Sequence, residues 1–517
     1  MRLIDFFDRG LRRNPAGTCL LDPRGQALSY RQCEETTHRI ANGLHAAGVG
    51  AGSNVGLLAT NHVCTVVAIL GTARSAATLL PVNSRNSMQE NLHVLVQGDC
   101  EFLFLHSDFV GSLARIRAAL PRLKGIVLID RALDGVIGLE EWAAAQTAAP
   151  VYVLQAPDDV VAIRGTGGTT GIPKGVAVTH RMYGALFANL FASVALSVPP
   201  VHLVVAPLTH AAGTISLAAC AWGGTNVILG DTEPGTILAA IARYRVSLLF
   251  LPPTLIYRLL AHPDLRRHDY SALRHFIYAA APMSVDKLEL CLEVFGPVMV
   301  QAYGQAEAPF FCTCLTALDH VMASEPALRR RLSSCGRATP FTVVDIMDDE
   351  GCLLGPGETG EIVVRGELVM KGYYRNPQAT AEALRDGWLH TGDIGHRDDD
   401  GYFYIVDRKK DMIISGGFNV YPSEVEQVIW SWDAVQDCAV IGVPDPDWGE
   451  AVKAVVELKA GATLDAAALI AYCRERLGPI KAPKSVEVWP TLPRSPVGKV
   501  LKRDIRDRFW AGSVRRI

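Results

Sequence analysis

Between Thr166 and Val176 the chain reads Thr-Gly-Gly-Thr-Thr-Gly-Ile-Pro-Lys-Gly-Val, just after the apolar run 160–163. Such a segment suits a polyphosphate. Gly167 and Gly168 let the backbone approach a ligand and turn its N–H groups inward, Thr166, Thr169 and Thr170 add uncharged hydroxyl donors, and Lys174 adds a cation. A flexible Gly/Thr linker is the alternative, but an embedded Pro-Lys-Gly-Val leading into another strand argues against it. Two other nucleotide motifs fail here. A Walker loop needs Gly-Lys followed by Ser or Thr, whereas Lys174 is followed by Gly175 and Gly498-Lys499 by Val500. The dinucleotide fingerprint lacks its third glycine, because Thr170 stands where that glycine belongs.

Further segments with chemical potential follow in order: Tyr-Gly-Gln-Ala-Glu at 303–307, Thr-Gly-Asp at 391–393, Asp-Arg-Lys-Lys at 407–410, Ser-Gly-Gly-Phe-Asn-Val-Tyr-Pro at 415–422, and Pro-Arg-Ser-Pro-Val-Gly-Lys at 493–499. Singly, each could be a chance turn; Tyr303-Gly304, for example, could be an ordinary aromatic beside a loop glycine. Together with the Thr/Gly loop, and in this order over nearly the whole chain, they resemble the adenylate-forming superfamily. That superfamily includes acyl-CoA synthetases, firefly luciferase and the adenylation domains of peptide synthetases.

The resemblance implies ATP, Mg2+ and coenzyme A as cofactors and co-substrates, and it implies roles residue by residue. Tyr303 would stack on adenine with Gly304 beside it, Glu307 would hold the Mg2+ that bridges ATP phosphates, and Asp393 would accept from the ribose hydroxyls. Arg408 would be a second ribose contact, and Lys410 would mark the hinge about which a smaller domain turns between half-reactions. A solvated charge cluster is the alternative for both. Ala280, Ala281 and Pro282 resemble a loop where small residues let the base approach; simple tight packing would need the same residues. His210, in Pro-Leu-Thr-His-Ala-Ala-Gly at 207–213, resembles a gate or wall of the carboxylate pocket, against the alternative of a satisfied core histidine. Ala302, where the family often has glycine, would line and narrow the acyl pocket, with Trp222 and Tyr257 as further candidate walls. Ala306 departs from the family's usual threonine, removing one hydroxyl contact to phosphate worth about 1.5–3 kcal/mol.

The implied reaction answers a chemical problem. A carboxylate is a poor acyl donor because its charge repels nucleophiles and oxide is a very poor leaving group. Attack on the α-phosphate of ATP expels pyrophosphate and gives an acyl-AMP open to a thiol, so the protein's work is positioning and charge neutralisation. By the resemblance Lys499, Glu307 and Thr166 with its loop supply that neutralisation, and the Gly416-Gly417 loop leaves room for a narrow pantetheine arm. The expected function is an ATP-dependent acid:CoA ligase. The alternatives are an acyl-AMP ligase that loads a separate carrier protein and a non-catalytic nucleotide binder; the presence of Lys499 and Glu307 speaks against the latter. The acid itself, fatty, aryl or polycyclic, is not legible in the sequence.

The elements that must carry these residues alternate. Ser29 to Gly48 reads as an amphipathic helix with a Ser29/Gln32 capping box, followed by strand-like 55–59, helical 63–74 and strand-like 77–81 and 101–105. The alternation resumes with apolar runs at 201–206, 226–229, 247–251 and 276–279. It predicts an α/β fold with two doubly wound subdomains. Turn-rich β segments at 343–365 suggest a small barrel-like subdomain, and the last hundred residues could close their own core as an α+β domain, which the resemblance implies to be mobile. The expected boundaries are 1–407, a hinge at 408–411, and 412–517.

With 50 Lys plus Arg against 53 Asp plus Glu, the 517-residue chain has a formal net charge of −3, so no strong field favours nucleic acid. Twelve scattered cysteines without metal spacing suggest reduced thiols, and Asp5, Asp8 and Arg9 interrupt any apolar leader, so a cytoplasmic protein is expected. The 49 uncharged residues 182–230 raise the question of a membrane span. Pro199-Pro200, Pro207 and Gly223-Gly224 cut the stretch into pieces too short for the ~20-residue helix a bilayer requires, so buried core is expected instead of an integral membrane segment. The expected partners are therefore a small carboxylic acid, ATP and CoA. Oligomeric state is not readable, a homodimer being one option.

Overall fold

The capping box forms as its residues dictate: Ser29 accepts from the Gln32 N–H, the Gln32 side chain returns to the Ser29 backbone, and the helix runs Tyr30–Ala46. The next helix, Val63–Arg74, is buried along its whole length, which explains why its sequence is apolar on every face. The computed structural model describes residues 1–166, 174–323, 325–446, 448–494 and 500–510.

The chain divides into two compact units, Met1–Val344 with Val364–Leu389, and Asp345–Val363 with His390–Ile517. In the first, a seven-stranded sheet is ordered Gly372–Tyr373, Gly175–Thr179, Val160–Gly165, Thr78–Asn83, Asn54–Ala59, Cys100–Leu105, Gly125–Leu128. Its last five strands are parallel, while Gly175–Thr179 and Gly372–Tyr373 add in antiparallel fashion. A nine-stranded sheet has a parallel centre of six strands, from Met299–Gln305 through His275–Tyr278, Leu248–Leu251, Val201–Val204 and Thr225–Ile228 to Thr18–Leu21. Two mostly parallel sheets with intervening helices are the α/β architecture that the alternation predicts.

The uncharged stretch is core. It forms all but the first two residues of helix His180–Ser193, then strand Val201–Val204, helix Ala211–Ala221 and strand Thr225–Ile228, and ten of the eleven residues in the Ala211–Ala221 helix are buried. No described helix is long and apolar enough to cross a membrane. All twelve cysteines are free and only Cys352 is exposed.

The second unit groups the turn-rich 345–363 and residues 390–411 with the C-terminal segment. Strand Trp388–Arg397 pairs antiparallel with Phe403–Arg408, placing Asp393 opposite Arg408. A further sheet, ordered Phe418–Val420, Ile413–Ser415, Gly449–Leu458, Val435–Asp445, with Ser485–Val488 parallel to Gly449–Leu458, packs its apolar face on helices Pro422–Trp430 and Ala466–Lys481. Val425, Ile429, Val440, Val452, Val456 and Leu469 form that core.

Candidate active site

Strands Val160–Gly165 and Gly175–Thr179 are antiparallel neighbours, with Gly165 opposite Gly175. The Thr166 N–H donates to the Lys174 carbonyl at 2.9 Å, and the Lys174 N–H donates to Thr166 Oγ1 at 3.2 Å. The Thr/Gly loop is thus the connection of a β-hairpin whose mouth is clasped by Thr166 and Lys174. Gly167, Gly168, Thr169 and Thr170 lie outside the described residues.

Lys174 and Glu307 meet on a residue that the motifs do not contain. Lys174 Nζ stands 4.9 Å from the ring centroid of Tyr373, and the Tyr373 hydroxyl donates to Glu307 Oε1 at 2.6 Å. Strand Gly372–Tyr373 pairs with Ala177 and Val176, directly after the loop, and the Met370 N–H donates to the Glu307 carbonyl at 2.7 Å. Burial, and then the Glu307 charge, push the Tyr373 hydroxyl well above the usual tyrosine range, so it stays protonated and remains a donor. No short spacing could reveal this link, because the two residues lie 66 positions apart.

Glu307 sits with Ala306 in the turn between strands Met299–Gln305 and Ala308–Leu315. Among the described residues no group of three or more His, Cys, Asp or Glu could hold a metal ion. A single carboxylate suits Mg2+ all the same, since that ion usually keeps several waters and takes one or two carboxylates together with substrate phosphates.

The hairpin turn also explains Gly304. A Cβ there would lie 2.5 Å from the Phe310 nitrogen and 2.6 Å from the Ala308 carbonyl oxygen, so only glycine lets the strands close beside Tyr303. Ala302 is buried in the same strand, opposite Cys314, and Tyr303 is half-buried. Ala280 is exposed and adopts φ +77°, a left-handed conformation for which alanine pays about 1–3 kcal/mol; it follows the buried Tyr278 and Ala279 and precedes Ala281 and Pro282.

His210 immediately precedes helix Ala211–Ala221, and its buried Nδ1 has no hydrogen-bond partner. Burial, then the nearby Arg164 charge, lower its pKa and keep the ring neutral. Trp222 does not join it. Trp222 closes the far end of the same helix, about 16 Å along the axis at 1.5 Å per residue, where it lies under Arg13 and against Phe191. Tyr257 turns its hydroxyl to accept from the Ser284 N–H at 2.8 Å.

In the second unit Asp393 is 3% exposed and its Oδ1 lies 2.6 Å from Arg408 Nε. Lys409 pairs with Asp349 at 2.6 Å and Glu361 at 3.4 Å, whereas desolvation, followed by the charges of Arg408, Arg506 and Arg503, lowers the Lys410 pKa. Gly416 and Gly417 have φ of +58° and +81°, which explains the glycine pair, and the Gly416 N–H donates to the Trp448 carbonyl at 2.8 Å. Lys499 lies outside the described residues. Its flanks are held: Arg494 bridges to Val500, Arg494 pairs with Asp437 at 2.8 Å, and half-buried Lys502 lies 2.9 Å from buried Glu426.

Comparison with known proteins places the chain in a family. Residues 7–374 match the AMP-binding enzyme family and residues 424–499 its C-terminal domain. A feruloyl-CoA synthase from Amycolatopsis is 38% identical over 507 residues, covering 97% of this chain and 98% of that protein. A medium/long-chain fatty-acid–CoA ligase from Mycobacterium tuberculosis is 35% identical over 95% of this chain and 87% of its own length. The crystal structure of ATP-bound MatB from Rhodopseudomonas palustris superposes with a TM-score of 0.90 at 29% identity, covering 100% of both chains. The chain therefore belongs to the AMP-binding enzyme family, as an adenylate-forming enzyme of the acyl-CoA synthetase type.

Proposed function

We propose that the protein is an AMP-forming acid:CoA ligase. The observation that carries this reading is the convergence of the loop lysine, Lys174, and the acidic residue Glu307 on Tyr373, in a chain related over 97% of its length to a feruloyl-CoA synthase. An oxygen of the substrate carboxylate bonds to the α-phosphorus as the bond to pyrophosphate breaks. The CoA thiol, losing its proton, then bonds to the acyl carbon as AMP leaves.

This reading gives the residues distinct tasks. Thr166, Lys174 and the loop between them hold the β- and γ-phosphates with backbone N–H groups, hydroxyls and one cation. Mg2+, when bound, neutralises phosphate charge, and Glu307 is the residue that would hold it. Tyr303 and the 280–282 loop receive the adenine, Asp393 and Arg408 the ribose, and Lys499 the charge that develops around the α-phosphate and carboxylate. Neutral His210 faces the acyl group without contributing a cation. Residues 408–411 form the hinge of a domain division at 407 and 412, and Gly416-Gly417 admit pantetheine. Reduced buried thiols and the use of ATP and CoA support a cytoplasmic location.

The acid is best sought among the classes that relatives name, which include phenylpropenoates such as ferulate, medium- to long-chain fatty acids, a bicyclic propanoate and indoleacetate. Pyrophosphate release with MgATP across such a panel, with and without CoA and with products weighed by mass spectrometry, tests the reading. Acyl-CoA from one class is the expected result. Acyl-AMP that accumulates despite CoA would move the acceptor to a carrier protein, and silence with every acid would overturn the ligase reading.

A further inference from the structure

Glu307 stands in a turn, where a carboxylate on a flexible side chain has no intrinsic reason to hold one rotamer. Two contacts nevertheless fix it, both from the segment 370–373: the Met370 N–H on its carbonyl at 2.7 Å and the Tyr373 hydroxyl on Oε1 at 2.6 Å. We propose that Tyr373 is the positioning residue of the metal–phosphate site, setting the direction of the Glu307 carboxylate from a strand 66 positions away.

Tyr373 is itself rigidly held. Its N–H donates to Thr380 Oγ1 at 2.9 Å, its carbonyl accepts from the Asn376 N–H at 3.1 Å, and its strand pairs with Val176 just beyond the phosphate loop. The Tyr374 N–H donates to the Gly175 carbonyl at 2.7 Å, so the same short strand is tied to the last residues of that loop. The ring faces Lys174 while the hydroxyl faces Glu307, and one side chain therefore sets the spacing between the cation and the carboxylate.

The hydroxyl occupies Oε1 and leaves Oε2 for a ligand. An outer-shell donor of this kind narrows the carboxylate to one orientation, and removing such a partner typically costs about 10–100-fold in metal affinity. Tyr373 does not touch substrate in this scheme; it acts through Glu307.

The proposal rests on the reading of Glu307 as the Mg2+ holder, and the test separates the two. Tyr373→Phe keeps the ring, the strand pairing and the Lys174 contact and deletes only the hydroxyl. Calorimetric titration of the full chain with ATP, with and without Mg2+, gives a readout independent of turnover. Expected are an about 10–100-fold loss of the Mg2+-dependent gain in ATP affinity, an unchanged Mg2+-free affinity, and a matching rise in the Mg2+ concentration that half-saturates acyl-AMP formation. In a Glu307→Gln background the same substitution should add nothing. If Glu307→Gln alters Mg2+ dependence but Tyr373→Phe does not, the positioning role is wrong while the Glu307 assignment stands. If Glu307→Gln leaves Mg2+ dependence untouched, both fall. An equal loss of ATP affinity with and without Mg2+ would mean that Tyr373 supports the loop alone, and would also overturn the proposal.

Discussion

Arg408 Nε lies 2.6 Å from Oδ1 of Asp393, the residue directly across from it in the pairing of Trp388–Arg397 with Phe403–Arg408. The two residues expected to meet the ribose thus hold each other first. Asp393 is almost wholly buried and Arg408 is half-exposed, so the carboxylate depends on the pair more than the guanidinium does. Asp393→Ala is expected to weaken AMP binding by about 1.5–3 kcal/mol, the worth of hydrogen bonds to a charged group, read by calorimetry. AMP affinity equal to that of the unsubstituted protein would remove Asp393 from the nucleotide site.

Lys499→Ala should abolish acyl-AMP formation and leave ATP binding largely intact, because a cation that serves the developing charge contributes more to the transition state than to the bound ground state. Single-turnover adenylation together with equilibrium ATP binding checks both halves. Unaltered adenylation would strip Lys499 of its role.

Three residues further on, Lys502 pairs with buried Glu426 at 2.9 Å, and Glu426 also accepts from the Val440 N–H at 2.7 Å. Removing one member leaves an uncompensated buried charge. Lys502→Met is therefore expected to destabilise the second unit by about 3–5 kcal/mol in denaturant unfolding. A loss below about 1 kcal/mol, the usual worth of a surface pair, would show that water screens the charge.

Gly416→Trp should spare adenylation and block thioester formation. A Cβ at Gly416 would lie 2.6 Å from Trp448 Cε3, at a residue with φ +58°, so an indole there must push Trp448 aside and reshape the loop around the glycine pair. Comparing acyl-AMP formation with CoA-dependent turnover distinguishes the steps, and equal loss of both in a folded variant would count against a pantetheine channel.

Acid should weaken the first unit. Burial lowers His202 and His320 from 6.5 to about 4; His202 Nδ1 bonds Asn226 Oδ1 at 2.8 Å, and His320 donates from Nδ1 to the Thr316 carbonyl while Nε2 accepts from Tyr278. Both rings are neutral in the folded state and protonate more readily when unfolded. The unfolded chain therefore binds more protons below pH 6.5, and stability present above that pH is lost progressively down to pH 4, on the order of 3 kcal/mol per histidine. Denaturant unfolding at pH 7.5, 5.5 and 4.5 measures the slope; a flat profile would contradict the neutral assignment, and His202→Gln should shallow it.

The signals that could be read along the chain are those whose causes lie within a few residues. Ser29 and Gln32 are three apart, so the helix start is local; the apolar 63–74 run forms a helix of the same bounds, with its one charge, Arg74, in the last turn. The Thr/Gly loop was legible because its chemistry is carried by consecutive residues, and the uncharged 182–230 stretch could be assigned to the core from its prolines and glycines. Packing decided the rest. Trp222, grouped with His210 as an acyl wall, stands at the opposite end of their helix, and the turn-rich 345–363 segment joins the C-terminal unit although it precedes Val364–Leu389 of the first. Tyr373 carried no motif at all, since its role exists only where a strand addition to the loop hairpin brings it against Glu307. Capping and periodicity act over one or two turns of chain, whereas the pairing of strands remote in sequence depends on which buried surfaces fit, and that fit is a property of the folded sheet.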